Sequence, residues 1–405
     1  MMPCVKNILA ALCVLACTFF VSCTRGLDTS AEIRYAAQSE DAALGKTASR
    51  LRGMTLVQDP APEYWTIRMR GDRESPLPHD LFLVEWGREI VSAQEAGDLA
   101  ALGKTWPRTA SSRRMPAFSG SIIPSPEEGF IPSAIYTWGI FYNRKIMAEL
   151  GSPAIDDMDA FVARCNAAKG RGIVPIALGA SFGWPGAAWH TYVDLRLNGG
   201  KAAWERVMGR RPFDDAGGRE AAELLAAWRD AGFFSPDAAR TGMQESLTAV
   251  ESGRALCVLM GSFTAERFVN PGAIGFIEVP FWKNRGQPRG EIAGLTGFAV
   301  AAASKKPQAA LALVDAYLEE GSPGQAAGGY TLPIRFRPRD GEDLRAVQSR
   351  ILAKTAWLLL PQEQIMPLQF FQDSLKVWAG FFERKPGSSG ADLAGALQAL
   401  YARSR

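Results

Sequence analysis

Histidine is scarce in this sequence, since His79 and His190 are the only two among 405 residues. A histidine-rich metal site is therefore excluded, and a histidine-based catalytic triad would have to use one of these two side chains. An excess of one charge is also lacking, because the net charge is only +3 and no basic run follows the N-terminus. This weak charge argues against nucleic-acid binding.

One motif suggests a hydrolase but lacks the required context. Gly179 to Gly183 matches G-x-S-x-G, in which Ser181 would be a nucleophile on a strand-to-helix turn, with an acid and a histidine downstream. Pro185 disfavours the helix, and His190 follows without an intervening carboxylate. Catalysis by Ser181 is therefore not expected.

The N-terminus predicts an exported, lipid-anchored protein. Residues 1–23 contain Lys6 and then an unbroken run of apolar and small residues from Ile8 to Val21. That run is shorter than the roughly 20 residues of a membrane-spanning helix and is typical of a secretory signal. The last four residues, ending at Cys23, resemble a bacterial lipobox, and those ending at Cys17 also fit. Cys23 is preferred because cleavage at Cys17 would leave two phenylalanines and a valine on the mature protein. An uncleaved membrane anchor is the alternative, and both place the rest of the chain outside the cytoplasmic membrane.

Cysteine is nearly absent from the mature chain. Four of the six cysteines belong to the N-terminal segment, which leaves Cys165 and Cys257. These two could pair in an oxidising compartment. Cys165 lies on a predicted helix and Cys257 in a predicted strand, so two separate buried thiols are the preferred interpretation.

Short apolar strands alternate with helices through most of the chain, which indicates parallel α/β layers, and the length allows two domains. Residues 179–200 read as a loop. Besides the strand that holds Cys257, the predicted strands cover residues 32–37, 54–58, 81–84, 131–142, 173–178, 274–279 and 292–303. Besides the helix that holds Cys165 and one that begins at Pro307, the predicted helices cover residues 40–51, 144–150, 203–208, 218–231, 243–251, 343–360, 368–383 and 391–403.

The stretch from Ile131 to Gly151 reads as a strand rich in aromatic and β-branched residues, followed by a short helix. With its surroundings it resembles the extracytoplasmic solute-binding proteins of ABC importers, in the maltose-binding-like group. Weaker similarities follow in the expected order, and they include Pro78 to Asp80 before a buried strand and a run from Gly253 to Phe263. His79 and Phe263 depart from the family pattern, and the smaller ring of Phe263 in place of a tryptophan is expected to weaken stacking on a ligand.

The resemblance implies a type II periplasmic-binding-protein fold with two α/β lobes and three hinge crossings. Residues 1–22 would be the signal peptide and 23–31 a tether. The N-lobe would comprise residues 32–136 and 297–332, and the C-lobe 137–296 and 333–405. The third crossing would lie in residues 330–336.

Candidate ligand-binding residues come from strand ends and from the resemblance. Glu85 and Trp86 follow a buried strand, and ligands of open α/β sheets bind beyond such ends. Flat aromatic faces suit the apolar faces of sugar rings. The resemblance adds residues near the crossings, in the 179–200 segment and after the predicted strand at Cys257: Tyr136, Trp138, Trp184, Trp189, His190, Phe263, Thr296 and Arg335.

The function implied by the resemblance is that of a monomeric lipoprotein that binds a sugar or oligosaccharide and delivers it to the membrane subunits of an ABC permease. The family needs no cofactor or metal, and no bond is made or broken. The alternatives are an exported carbohydrate-active enzyme, which predicts two essential carboxylates across the cleft, and a sensory or adhesive lipoprotein without a neighbouring permease gene.

Overall fold

The computed structural model describes residues 32–37, 42–59, 79–102, 129–151, 155, 157–286, 288–322, 332–333, 337, 340–384 and 388–404. The signal peptide, Cys23, the tether and Arg335 lie outside these ranges. Within them, no helix combines the length and the apolar character needed to cross a membrane.

The described residues form an alternating series of strands and helices. The strands are β1 Glu32–Ala37, β2 Thr55–Asp59, β3 Leu81–Glu85, β4 Phe130–Asn143, β5 Val174–Ile176, β6 Ala255–Gly261, β7 Ile274–Ile277, β8 Gly290–Val300, β9 Leu332–Pro333 and β10 Trp357–Leu359. The helices are α1 Ala42–Arg50, α2 Arg88–Glu95, α3 Arg144–Glu149, α4 Met158–Gly170, α5 Trp184–Val207, α6 Ala216–Asp230, α7 Met243–Glu251, α8 Pro307–Glu319, α9 Leu344–Lys354, α10 Gln362–Ile365, α11 Leu368–Phe382 and α12 Gly390–Arg403.

The predicted strand and helix between Ile131 and Gly151 are confirmed as β4 and α3. Asn143 marks the change from one to the other, because its side-chain oxygen accepts a hydrogen bond from the backbone N–H of Ile146 at 3.1 Å. The amide nitrogen of the same side chain donates to the Val250 carbonyl at 2.9 Å. This N-cap therefore both starts α3 and ties it to α7.

The prediction of a loop over residues 179–200 is wrong, because α5 begins at Trp184 and continues beyond that segment. Pro185 lies in the first turn, where a missing backbone N–H has no intrahelical partner to lose, so proline favours the helix start there. The predicted short helix at 203–208 is the end of α5, after a break at Gly199, which has a φ of 83°.

The single helix predicted over residues 343–360 is also wrong in its second half. α9 ends at Lys354, and Trp357 to Leu359 form β10. β10 pairs in parallel with β8, Trp357 opposite Gly290. This sheet pairing overrides the local helical pattern, as is common for short apolar segments.

The strands form one mixed sheet in the order β2-β1-β3-β8-β4-β6-β5, with β10 beside β8 and with β7 and β9 beside β4. We call β2, β1 and β3 the first half, and β6, β5 and β7 the second half. Within each half β1–β2, β1–β3 and β5–β6 are parallel, as predicted, whereas β8 runs antiparallel to both β3 and β4. The long strands β4 and β8 therefore link the two halves.

Both faces of the sheet are buried, because successive strand residues point to opposite faces. In β3, Leu81 and Leu83 join a cluster with side chains of α1 and α8. Phe82 and Val84 join a second cluster with Leu358 of β10. The second half has its own large core, built chiefly by α4, α5, α6, α11 and α12.

A fully buried ion pair anchors the start of β8. Arg196 of α5 donates to both carboxylate oxygens of Glu291, at 2.9 and 3.0 Å, and both side chains are fully buried. The same guanidinium donates to the Val279 carbonyl at 2.8 Å and lies 3.8 Å above the ring centre of Phe281. Burial raises the pKa of Glu291 to about 7, although Arg196 opposes that rise.

The two cysteines of the described chain are free and buried, as predicted. Cys257 donates to the Pro175 carbonyl, with an Sγ to oxygen distance of 3.2 Å. Burial raises the pKa of both thiols. Neither side chain is therefore a reactive thiolate near neutral pH.

We expect Glu291→Leu to destabilise the protein by about 3–5 kcal/mol, because it leaves the Arg196 charge buried without its partner. The double variant Arg196→Met/Glu291→Leu removes both charges and should recover most of that loss. Urea unfolding at pH 8, above the Glu291 pKa, measures both. Lys145→Ala is the control, since the exposed Lys145–Glu149 pair at 4.0 Å should contribute less than about 0.5 kcal/mol. A double variant as unstable as the single one would contradict this account.

Candidate functional site

Strand ends from both halves of the sheet converge at its centre. β3 and β4 are both antiparallel to β8, so β3 runs in the direction of β4 and its carboxyl end, Glu85, points toward the second half. β6 is antiparallel to β4, so its carboxyl end, Gly261, points toward the first half. β5 runs parallel to β6 and is followed by a 3₁₀ turn, Ala180–Phe182. Loops at such ends are where α/β sheets bind ligands.

Three polar side chains meet at the end of β3. The Gln364 Nε2 group donates to a carboxylate oxygen of Glu85 at 2.6 Å and to the hydroxyl oxygen of Tyr136 at 2.7 Å. The Tyr136 hydroxyl also faces the Glu85 carboxylate as a hydrogen-bond donor. A strand end, the shared strand β4 and α10 therefore contribute to one hydrogen-bonded group, which we call the central triad.

Burial dominates the electrostatics of the central triad. It raises the pKa of Glu85 to about 7, against the lowering effect of the hydrogen bonds from Tyr136 and Gln364. The pKa of Tyr136 is also raised, first by burial and then by the charges of Glu85 and Glu363. Glu85 therefore changes its protonation near neutral pH.

Aromatic rings line the second-half side of the same region. The ring of Phe263 contacts Tyr136 edge-on, with centroids 5.2 Å apart, and Trp138 at 6.2 Å. Trp138 in turn contacts Trp184 at the start of α5, at 5.6 Å. Gly294 of β8 lies under the Tyr136 ring, where a Cβ atom would approach a ring carbon to 2.0 Å. The half-buried faces of Phe263 and Trp184 are the accessible part of this wall.

A second hydrogen-bonded group supports the turn that carries Phe263. The hydroxyl oxygen of Ser262 accepts from the Gln348 Nε2 group at 2.5 Å and from the backbone N–H of Thr137 at 3.3 Å. These bonds tie the turn after β6 to α9 and to β4. Phe263 is thus positioned by backbone and side-chain bonds of its neighbour.

Trp189 and His190 do not lie beside Trp184, because α5 is a helix and five or six residues turn a side chain by about 140° or 240°. Trp189 is 1% exposed and packs against Phe161 and Trp228. His190 is buried between Phe213 and Trp378, and burial lowers its pKa to about 4. Both belong to the second-half core, and we remove them from the candidate site.

The remaining predicted residues are near the centre at different depths. Trp86 is buried and packs on Phe130, with its backbone N–H bonded to the Leu295 carbonyl. Thr296 is half-buried and lies opposite Glu85 in the β3–β8 pair. Trp138 is fully buried behind Phe263. Glu85, Thr296, Phe263 and Trp184 are the predicted residues with accessible surface here.

Sequence reasoning missed two residues. Phe182 is 60% exposed in the 3₁₀ turn after β5, beside the start of α5. It lies within the G-x-S-x-G match, and an aromatic residue in a loop after a buried strand was an available signal. Gln364 lies in a polar segment, residues 362–364. This segment reaches β3 because of the path that the chain takes after β10, and no local sequence pattern predicts that path.

The arrangement suits a neutral polar ligand. Amide, carboxyl and hydroxyl groups at the centre exchange hydrogen bonds with hydroxyls, and the aromatic wall offers flat apolar faces. Among the described residues, no group of three or more histidine, cysteine or acidic side chains is placed to hold a metal ion.

Solved structures with the same fold cover nearly all of this chain. The bacterial solute receptor AcbH, described with an exclusive preference for β-D-galactopyranose, has 16% identity and a TM-score of 0.77 over 92% of this chain and 99% of its own. RafE in complex with raffinose has 16% identity and a TM-score of 0.71 over 92% and 99%. A probable secreted solute-binding lipoprotein from Streptomyces coelicolor has 16% identity and a TM-score of 0.73 over 93% and 100%. The predicted maltose-binding-like fold is therefore confirmed.

The sequence finds no match among curated proteins. A family profile described as bacterial extracellular solute-binding protein matches residues 64–322. That span covers more than half of the chain, including β3, β4, the aromatic wall and β8. The chain therefore belongs to the family of bacterial extracellular solute-binding proteins.

Proposed function

We propose that this protein is the extracytoplasmic receptor of an ABC importer and that it binds a sugar or short oligosaccharide between two lobes. The observation that carries the proposal is the meeting of the central triad with the aromatic wall where strand ends from both halves converge. Sugars carry polar rims and apolar ring faces, so they match both surfaces at once.

The proposed lobes follow the strand pairing. On β4, Thr137 is the last residue opposite β8 and Trp138 the first opposite β6, so the pairing changes one residue after the proposed boundary between residues 136 and 137. On β8, Thr296 and the residues after it pair with β3. β9 pairs with Ala134 and Ile135, which supports a third crossing beside the first. The N-lobe then comprises residues 32–136 and 297–332, and the C-lobe 137–296 and 333–405.

Closure of these lobes on the ligand would be the transport signal. A ligand that contacts both lobes favours the closed form by the difference in its affinity for the two forms. The closed receptor would then dock on the membrane subunits of the permease as a monomer. Galactopyranose and raffinose, named for two structural neighbours, set the range of ligands to test first.

We infer that the protein is not an enzyme. Membership in a solute-binding family supports this, and so does the state of the residues that could act in hydrolysis. His190, the one histidine downstream of Ser181, is buried in the core among aromatic rings. A Ser181 nucleophile would therefore lack a downstream histidine as its base.

We propose that the mature protein is anchored by a lipid on Cys23. An extracellular family gives an extracytoplasmic location, and the lipobox-like residues before Cys23 support the anchor. A structural neighbour is itself described as a probable secreted solute-binding lipoprotein.

Titration with D-galactose and raffinose should change the tryptophan fluorescence saturably for at least one of the two, because Trp138 and Trp184 adjoin the accessible wall. Isothermal titration calorimetry checks the stoichiometry, which should be one. Val269→Ala is the control variant, since Val269 is 91% exposed outside the site. A response only to amino acids or metal ions would refute the sugar assignment, and turnover of a chromogenic glycoside would refute the binding role.

Phe263→Ala and Phe182→Ala should each weaken sugar binding by about 1–2 kcal/mol, or about 5- to 30-fold in Kd, because each removes an aromatic face. Trp189→Phe should lower the unfolding temperature and leave Kd within about twofold, because Trp189 lies in the core. Calorimetry and thermal unfolding measure these pairs of effects. A large loss of affinity in the Trp189 variant, with none in the phenylalanine variants, would place the ligand elsewhere.

In a bacterial host, Cys23→Ala should abolish incorporation of radiolabelled palmitate and move the protein from the membrane pellet to the soluble fraction. Cys17→Ala should change neither, since cleavage is expected at Cys23. The opposite result would assign the anchor to Cys17. Membrane association retained without label in the Cys23 variant would indicate an uncleaved anchor.

A further inference from the structure

The short helix α10 joins the two halves of the molecule. It contacts α5 of the second half and α2 of the first half. Ile365 packs against the cores of both halves. Gly87, between β3 and α2, approaches so closely that a Cβ atom there would lie 2.6 Å from the backbone oxygen of Gln364. α10 is therefore a C-lobe segment whose neighbour across the lobe boundary is the end of β3.

Gln364 makes the polar contacts of α10 across this boundary. Its Nε2 group donates to Glu85 on β3 and to Tyr136 on β4. Its Oε1 atom is buried and has no hydrogen-bond partner within the structure described. A buried polar atom without a hydrogen-bond partner destabilises the folded state, so packing alone does not explain a glutamine at this position.

The charged neighbours of Glu85 come from every element around it. Glu89 on α2 opposes ionisation of Glu85, and Arg88 lies beside Glu89. Glu363 on α10 has a pKa raised to about 7, first by burial and then by the charge of Glu85. Tyr136 and Gln364 donate hydrogen bonds and so favour the ionised form of Glu85. Burial outweighs the two donors and holds the pKa of Glu85 at about 7.

We propose that Gln364 is a positioning residue of the binding site, which holds the Glu85 carboxyl against Tyr136 across the proposed lobe boundary. This proposal rests on the proposed function. Held in this way, the Glu85 carboxyl and the Tyr136 hydroxyl have a fixed geometry to offer to a sugar hydroxyl. Acid then favours the packing of α10 over Glu85, and neutral to basic pH opposes it.

The direction follows from the raised pKa. A carboxyl whose pKa is raised from 4.5 to about 7 favours the buried state most below pH 4.5, and this contribution is lost as pH rises to 7. Removing a hydrogen-bond donor to the ionised form raises the pKa further. Gln364→Leu should therefore move the midpoint of the pH dependence to higher pH.

The first test measures sugar affinity of the whole mature protein by calorimetry, with the sugar from the panel that binds. Gln364→Leu should weaken binding by about 5- to 30-fold in Kd, because the Glu85 carboxyl and the Tyr136 hydroxyl lose the group that holds them together.

The second test needs no ligand. Urea unfolding of the free protein from pH 4.5 to 9 should show a free energy of unfolding that falls with rising pH. The part of this fall that is due to Glu85 is the part that Glu85→Gln does not show. Gln364→Leu should shift the midpoint of that part upward, by about half a unit or more. Glu363→Gln serves as a background in which the shift should persist, which separates Glu85 from the second titrating carboxyl.

A steric variant tests the close approach. Gly87→Ala should push α10 away from Glu85 and lower the Glu85 pKa toward 4.5, because water then reaches the carboxyl. Gly45→Ala is the matched control, since a Cβ there meets nothing within 4 Å. A lower midpoint of the pH dependence of stability in Gly87→Ala, with an unchanged midpoint in Gly45→Ala, supports the proposal.

The two tests separate the possible failures. Unchanged sugar affinity or an unchanged midpoint in Gln364→Leu overturns the proposal and leaves the proposed function intact. No sugar binding at all, with a shifted stability midpoint, refutes the proposed function and supports the positioning role of Gln364.

Discussion

The pairing of β4 with β8 is the constraint on which the site depends. β4 continues past the shared segment to pair with β6 and β7, whereas β8 pairs with β10 before that segment and with β3 along its other edge. Side chains alternate along a strand, so a register shift of one residue would turn Tyr136 and Trp138 to the opposite face of the sheet. It would also remove Tyr136 from the space above Gly294. The backbone pairing of β4 with β8 therefore determines which face of the sheet carries Tyr136 and Trp138.

The Arg196–Glu291 pair fixes that register at one end. Its guanidinium bonds the start of β8 and the carbonyls of Val279 and Pro280 to α5. Taking both charges out of water costs free energy that their attraction offsets incompletely. The pair instead contributes a defined geometry, because a planar guanidinium with several donors holds α5, the Val279–Pro280 segment and the start of β8 in one orientation. Trp184 of the aromatic wall lies on the same helix, so the contacts that hold α5 also position that part of the wall.

Most of the fold could be predicted from the sequence, but only part of the candidate site could. β4 and α3 were predictable because β-branched and aromatic residues give way to a capping asparagine and a helical face. α5 was missed because Pro185 was taken as a helix breaker, whereas a first-turn proline starts a helix. That one error placed Trp189 and His190 in a binding loop. Gln364 could not be found locally, since its partners Glu85 and Tyr136 are distant in sequence and meet only through tertiary packing.

Two carboxyls with the same raised pKa, about 7, illustrate why a raised pKa alone does not identify a site. Glu291 faces a guanidinium that is itself buried, so its charge is matched within a closed core. Glu85 lies at a strand end and keeps accessible surface. Its hydrogen-bond partners are neutral, and its charged neighbours, Glu89 and Glu363, are carboxyls as well. A carboxyl with accessible surface and without a paired cation can exchange its hydrogen bonds with a ligand, whereas one enclosed with its cation is structural.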